Sequence, residues 1–580
     1  MLLPQNNRTR ETFELSGLFS FCPDRAGIAD QQDWHQQLPD TGRLTLAVPG
    51  SWNEQKSELH EFHGEGWYQR SFNLPEAWSQ KRVWLRIGST AGNARVWIDG
   101  QLMASHTGPH LPFEFELTGA TRSTGPHQLT IAVDNTLRAL SLPPGQAKRN
   151  EDRPGFGLGK PDVPYDFFPY GGIHRPITLY TTGSSRIEAI KVDTDFTGDT
   201  GQIDFQATLD APDQDLSLRV NIDGQSAEFE VAGGTSSGQI KIPKVIKWSP
   251  DRPHLYRAEF ELVKRDEGTI IDRYELNVGI RTIKVEGNQL LLNGAPIQLK
   301  GFGKHEDFPI LGKAWSAPVA VRDFDLMRWT GANSFRTAHY PYAEEMLDLA
   351  DREGFLVISE TPFVSLAERV YTDEMREQAC RTITDLITRD CNHPSVILWS
   401  LANEPYIDCD AGEHFFKTMA STARAADSTR PIMYVAHETP ERNRGAEHYD
   451  LLGVNKYFGW YQNTGDIDGT LEDLEACLQS FHEAFDLPIL FAEFGADAVA
   501  GIHSEPAVLF SEEYQSQTIE KQYLQVIDLP WIVGAHVWNF ADFKTAQTIN
   551  RVAGNKKGVF TRDRQPKLAA HTLRRLWKSE

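Results

Sequence analysis

Apolar and polar residues alternate through the first half of the chain. RVWLRIG (82–88), ARVWIDG (94–100) and HQLTIAVDN (127–135) each switch character from one residue to the next and stop at turn formers, the pattern of strands with one buried face. No long helical period interrupts them, so an antiparallel β-sandwich is expected over roughly the first 180 residues. A second set follows: SLRVNIDG (217–224), AEFEVAGG (227–234), YRAEFELVK (256–264) and IIDRYELNVG (270–279). Short strands with Gly/Ser turns over about a hundred residues predict a smaller, immunoglobulin-like sandwich.

After residue 282 the rhythm changes to short apolar strands alternating with amphipathic helices. The strands are QLKGFGKHED, ANSFRTAHY, FLVISE, SVILWSLANE, PIMYVAHE, LLGVNKY, PILFAE and IVGAHVWNFAD. In the helix EMREQACRTITDLITRD, Met375, Ala379, Ile383 and Ile387 repeat every four residues. Eight such strands predict a (β/α)₈ barrel, and the expected division is 1–182, 183–281 and 282–580. In such a barrel the C-terminal strand ends form the reactive face. They carry His305 and Glu306, His339, Glu360, Asn403 and Glu404, Asn455 and Tyr457, Glu493, and Trp538, Asn539 and Asp542. Glu404 on the fourth strand and Glu493 on the seventh would face each other across the mouth. Two opposed carboxylates between aromatic walls suit glycoside hydrolysis, one as acid and the other as nucleophile or base, although this fold hosts many chemistries.

Composition narrows the partners. The 580 residues carry a formal charge of −22, the wrong sign for a phosphate-binding face, so nucleic acid is not an expected partner. No apolar run approaches a membrane span. The N-terminus MLLPQNNRTRETFEL lacks an apolar leader segment, which favours a cytoplasmic protein. Five scattered cysteines without a CxxC pair are expected to be reduced. GTSSG (234–238) imitates a nucleophile elbow without the following helix, and GFGLG (155–159) and GFGKHE (301–306) lack the context of a dinucleotide site. HEFH (60–63) has the wrong spacing for zinc. No metal or other cofactor is expected.

Longer stretches resemble glycoside hydrolase family 2, and within it the β-glucuronidases. NSFRTAHYP (333–341) and NHPSVILWSLANEP (392–405) are similar to the two family signatures. The likeness extends through VPGSWNEQ (48–55), WYQRSF (67–72), YDFFPYGGIHRP (165–176), NKYFGWY (455–461), VWNFADF (537–543) and GNKKGVFTRDRQPK (554–567). The family architecture is a jelly-roll-like sugar-binding domain, an immunoglobulin-like domain and a barrel, in line with the pattern above. The resemblance implies that Glu404 is the acid/base, Glu493 the nucleophile of a retaining mechanism, and that Asn403 binds the sugar 2-hydroxyl. It implies a β-D-glucuronide substrate whose carboxylate is read by Asn555 and Lys557, helped by Arg551 and Tyr461. Asp166, sent from the first domain, and His305 would bind sugar hydroxyls, and Tyr457 would lie beside the catalytic carboxylates. Glu404 must hold a proton near neutral pH, and Trp399 and Trp538 are the expected apolar neighbours. A homo-oligomer, dimer or tetramer, is expected.

Two departures stand out. Many bacterial glucuronidases carry a longer loop after the third strand, whereas TPFVSLAERVYTDEM (361–375) runs almost directly into a helix. Cys391 stands where the family usually has a basic residue. Preference for another β-glycoside, such as a galacturonide or galactoside, and a sugar-binding role on an inactive barrel are the rival readings.

Overall fold

The computed structural model describes residues 1–119, 125–138, 140–144, 161, 163–210 and 215–578; GFGLG (155–159) lies outside them. The first domain is a two-sheet β-sandwich. One sheet orders Thr12–Glu14, Ile177–Thr182, Arg82–Ile87 and Phe113–Glu116; the other orders Leu44–Val48, Gly17–Asp24, Glu65–Phe72, His127–Asp134, Asn93–Ile98 and Gln101–His106. The alternating residues Val83 and Leu85, Val96 and Ile98, and Leu129, Ile131 and Val133 meet in its core, as the period of two requires. The second sandwich packs a three-stranded sheet (Arg186–Thr197, Thr200–Asp210, Thr235–Pro243) on a four-stranded one (Gln225–Glu230, Leu216–Ile222, Tyr256–Lys264, Ile270–Val278). GTSSG opens the strand Thr235–Pro243 instead of an elbow.

The third domain is a closed parallel barrel of eight strands: β1 Leu299–Gly303, β2 Ser334–Arg336, β3 Leu356–Glu360, β4 Val396–Asn403, β5 Ile432–Ala436, β6 Leu451–Asn455, β7 Ile489–Glu493 and β8 Ile532–Val537. β1 closes on β8 through Leu299↔Gly534 to Phe302↔Val537. Every residue of β2 to β8 is buried, because side chains fill the barrel and helices cover its outside; that is why these strands read as continuous apolar runs.

The covering helices are α1 Ala317–Thr330, α2 Glu344–Glu353, α3 Asp373–Asp390, α4 Asp410–Ala426, α5 Leu471–Phe485, α6 Glu512–Val526 and α7 Leu568–Lys578. α3 buries Met375, Ala379, Ile383 and Ile387 on one face, and Thr372 caps its start by accepting from Met375 N–H, which satisfies one of the helix's orphan donors. The strand–helix alternation fails once. Between β5 and β6 the chain makes two short 3₁₀ turns, Pro440–Arg442 and Ala446–His448. Pro440 removes a donor and Gly445 turns left-handed with φ 88°, so PERNRGAEH cannot sustain an α-helix.

Candidate active site

β4 delivers two functional residues in succession, and simple alternation would send them to opposite faces. The pairing of β4 with β5 is irregular between Ser400 and Asn403, and Glu404 adopts φ 50°. This bulge and left-handed residue turn both Asn403 and Glu404 toward the mouth, a local cost of the kind functional sites carry. Glu404 N–H donates to Val435 O at 2.7 Å, which ties the residue to β5. From β6, the Asn455 amide donates to Glu404 Oε1 at 2.8 Å and to Asn403 Oδ1 at 3.2 Å.

Glu493 ends β7 and is 3 % exposed. Tyr457 OH donates to its Oε2 at 2.6 Å and the Arg336 guanidinium donates to Oε1. Burial pushes the Glu493 carboxyl above its ordinary value, Arg336 and His339 oppose this, and the Glu404 charge adds to it. The two carboxylates therefore sense each other electrostatically. Arg336, fully buried on β2, also binds Glu360 with 2.7–2.8 Å bonds. Glu360 in turn holds His339 Nδ1 at 2.7 Å and takes the Ser400 hydroxyl at 2.7 Å. Arg336 is thus the hub that fixes Glu493, and its signal lay inside NSFRTAHYP, where sequence reasoning singled out only His339.

Asn403, Glu404, Tyr457 and Glu493 line a cleft of about 400 Å³ together with Asp166, His305, His339, Tyr461, Trp538, Arg551 and Lys557. Trp538 stacks on His339 at 5.0 Å. Gly303 makes room for that indole, since a Cβ there would lie 2.5 Å from Trp538 Cε3. Burial holds the His305 imidazole well below its ordinary pKa; its Nδ1 is 3.1 Å from Tyr340 OH, and its Nε2 has no protein partner.

The far end of the cleft is cationic. Lys557 Nζ donates to Tyr461 OH at 2.8 Å and to Asp497 Oδ2 at 2.5 Å. Arg551 donates to Tyr461 OH at 2.8 Å and grips Asp166 through Nε at 2.8 Å and its terminal nitrogen at 2.7 Å. Asp497 was missed by sequence reasoning, because nothing in FGADAV separates it from an ordinary loop acid. Burial alone would raise its carboxyl, but Lys557 and Arg551 outweigh this and hold it low. Asp166 comes from the first domain, between Tyr165 and Phe167, which insert into the barrel's hydrophobic core. Phe168 N–H donates to Lys544 O at 2.9 Å and Tyr170 OH to Asp307 at 2.7 Å, which pins the segment.

Some expected positions need correction. Trp399 does not neighbour Glu404: it points outward from β4, donating to Asp427 at 3.0 Å under Arg430, so Trp538 is the indole of the cleft. Asn555 is fully buried between two residues of the cleft, donating to Asp166 at 2.6 Å and accepting the Lys557 N–H at 2.8 Å. Its amide thereby links Asp166 to Lys557. Glu306 receives Ala343 N–H at 3.1 Å and Asp542 binds Lys567 at 2.7 Å; neither lines the cleft, nor does Asn539. All five cysteines are free thiols, and Cys391 lies buried just beyond α3. Among the described residues no helix is long and apolar enough to cross a membrane.

Comparison with known proteins agrees with this layout. Residues 13–183 match the sugar-binding domain of glycosyl hydrolases family 2, 185–281 match a further domain model of that family, and 283–579 match its TIM-barrel domain. The chain is 41 % identical to a beta-glucuronidase from Paenibacillus borealis, over 100 % of this chain and 98 % of the relative. It is similar in structure to Bifidobacterium dentium beta-glucuronidase complexed with coumarin-3-O-glucuronide, with a TM-score of 0.93, 35 % identity and coverage of 100 % and 99 %. It is also similar to Ruminococcus gnavus beta-glucuronidase in complex with D-glucaro 1,5-lactone, with a TM-score of 0.92, 33 % identity and the same coverage. A cleft holding two carboxylates at the barrel mouth, on a chain matched from end to end by the family's three domain models, makes this protein a glycoside hydrolase belonging to glycosyl hydrolase family 2.

Proposed function

We propose that the enzyme is a retaining exo-β-glucuronidase, hydrolysing β-D-glucuronides to D-glucuronate and an alcohol. The observation that carries this reading is the pairing, in one cleft, of a carboxylate end at Glu404 and Glu493 with a cationic end at Lys557 and Arg551. A neutral hexose gains nothing from these two cations, whereas a uronate gains charge-assisted bonds. The names of the similar proteins, and the coumarin glucuronide and glucarolactone bound to two of them, support the same substrate class.

Glu493 attacks the anomeric carbon while Glu404 passes its proton to the glycosidic oxygen, so the alcohol leaves and a glycosyl ester forms on Glu493. Glu404, now a carboxylate, takes a proton from water. That water attacks the same carbon and releases Glu493, so two inversions give net retention. Tyr457 and Arg336 hold the nucleophile through both of its oxygens. Asn455 orients the acid/base and Asn403 together, and Asn403 is aimed at the 2-hydroxyl. His305 Nε2 and Asp166 serve the remaining hydroxyls.

Proton NMR of the first-formed sugar tests the reading. Initial release of β-glucuronate is expected. Initial α-anomer would remove Glu493 as nucleophile, and faster turnover of galacturonides or neutral β-glycosides would overturn the substrate.

A further inference from the structure

Just outside the residues that line the cleft, next to Glu404, stands an aromatic residue with no role in the chemistry above. Tyr406 follows Glu404 by two residues and is 38 % exposed, although its backbone is fixed on both sides. Its N–H donates to Leu366 O at 2.8 Å, and Tyr371 OH donates to its carbonyl at 2.8 Å. The ring meets the His437 imidazole edge-on, with centroids 5.0 Å apart and planes at 89°. His437 follows β5 directly, and its Nδ1 is buried without a protein partner. The neighbouring wall, Val364 and Ser365, comes from the connection after β3. That connection turns back through the 3₁₀ turn Glu368–Val370 into α3. A pinned, half-exposed tyrosine braced by a second ring is an anchor that loses little conformational entropy when something stacks on it.

We propose that Tyr406, braced by His437, is the platform on which an aromatic leaving group stacks beside Glu404. This rests on the reading of Glu404 as the acid, because a group that protonates the leaving oxygen must lie between the sugar and the departing alcohol. Tyr406 is two residues beyond it, tied through Leu366 to the connection that supplies the Val364 and Ser365 wall. Burial, then the charges of Glu404 and Glu438, hold the Tyr406 phenol above its ordinary pKa, so the ring stays a neutral stacking surface through the working range. Tyr406 keeps 38 % of its surface accessible, so the platform can be reached by a leaving group. It selects for a flat aromatic first ring while leaving the size of whatever follows unrestricted.

The test compares an aryl β-glucuronide with β-glucuronyl fluoride, whose leaving group is one atom and reaches no platform. Tyr406→Ala is expected to lower kcat/KM for the aryl substrate about three- to tenfold, chiefly through KM, the range of one aromatic pair. The fluoride value should be unchanged within about twofold, and Tyr406→Phe should retain the wild-type ratio. An equal fall on both substrates makes Tyr406 a structural residue and overturns the proposal, as does an unchanged aryl value. Wild-type enzyme that turns over neither substrate removes the glucuronidase reading, and the platform with it.

Discussion

The two ends of the barrel hold the same kinds of residue in different states of completion. At the N-terminal end, Asp351 spends Oδ1 on Ser395 N–H at 3.0 Å and Oδ2 on His393 at 2.6 Å. Asp427 takes Thr429 through both its N–H and its hydroxyl at 2.7 Å, Trp399 at 3.0 Å and Arg430 at 2.8 Å. Arg430 completes itself on Val396 O and Cys391 O. At the C-terminal end an arginine, carboxylates and a histidine again form a buried network around Arg336, but it stops short of saturation. Among the described residues Glu404 has one side-chain donor, Asn455, and His305 Nε2 has none. Asp348, Asp351 and His393 lie within 4.8 Å of one another, yet Asp351 and His393 are consumed by their mutual bond. Buried charge by itself does not distinguish a site from a staple; unused hydrogen-bonding capacity facing a cavity does.

The sharpest break of this comparison is at the carboxylates. Glu404→Gln should lose 10²–10⁴-fold on alkyl glucuronides, the worth of a general acid. Aryl glucuronides with good leaving groups should still load Glu493, giving a burst of phenolate and then slow turnover that azide accelerates. Glu493→Gln should give neither burst nor leaving-group dependence; identical behaviour of the two variants would merge their roles. Next in size, Lys557→Ala should cut uronide hydrolysis roughly ten- to a hundredfold, as for a lost charge-assisted bond, and spare neutral glycosides. Equal losses on both would make the cationic end a staple like its counterpart below.

Tyr457→Phe should act more mildly, and its signature is the pH profile. Glu493 must be ionised to attack, and burial already raises its pKa, so activity falls as pH drops through a value above the ordinary 4.5. Removing the Tyr457 donor, which lowers that pKa, should move the acidic limb of kcat/KM further up. An unmoved limb would mean the bond does not tune the nucleophile. The smallest effect on activity belongs to His393→Gln. Burial would depress this imidazole, but the charge of Asp351 wins and pushes it up to about 9. A raised histidine stabilises fully below its unfolded value near 6.5, and the contribution is lost as pH rises through about 9. Denaturant titrations should therefore show the variant losing about 1–3 kcal/mol below pH 6.5 and much less above pH 9, with kcat/KM unchanged at both. A fall in kcat/KM would make the lower network part of the site.

The barrel was legible because its strands are buried on both faces, so SVILWSLAN or PILFA shows as an apolar run without tertiary knowledge. Glu404 and Glu493 were legible for the converse reason, each being a charge at the end of such a run. Arg336 was not, since an arginine closing a three-residue strand looks like the start of a loop until Glu360 and Glu493 converge on it. Asp497 needed the partner it neutralises. Trp399 was misassigned because nearness in sequence was taken for nearness in space: it stands an odd number of residues before Glu404, and a strand's period of two sends it to the other face.

Asp166 and Arg551 are 385 residues apart in sequence, and this separation sets a clock on the enzyme's birth. At roughly 5–20 residues per second, about 20–80 s pass on the ribosome between the synthesis of one and of the other. The first domain emerges early and can fold while its acidic finger has nothing to hold. The barrel gains β8 and the basic loop behind it only after that interval. Until then the cleft lacks this wall, and it is completed in one step, when the later-made loop closes on the earlier-made domain.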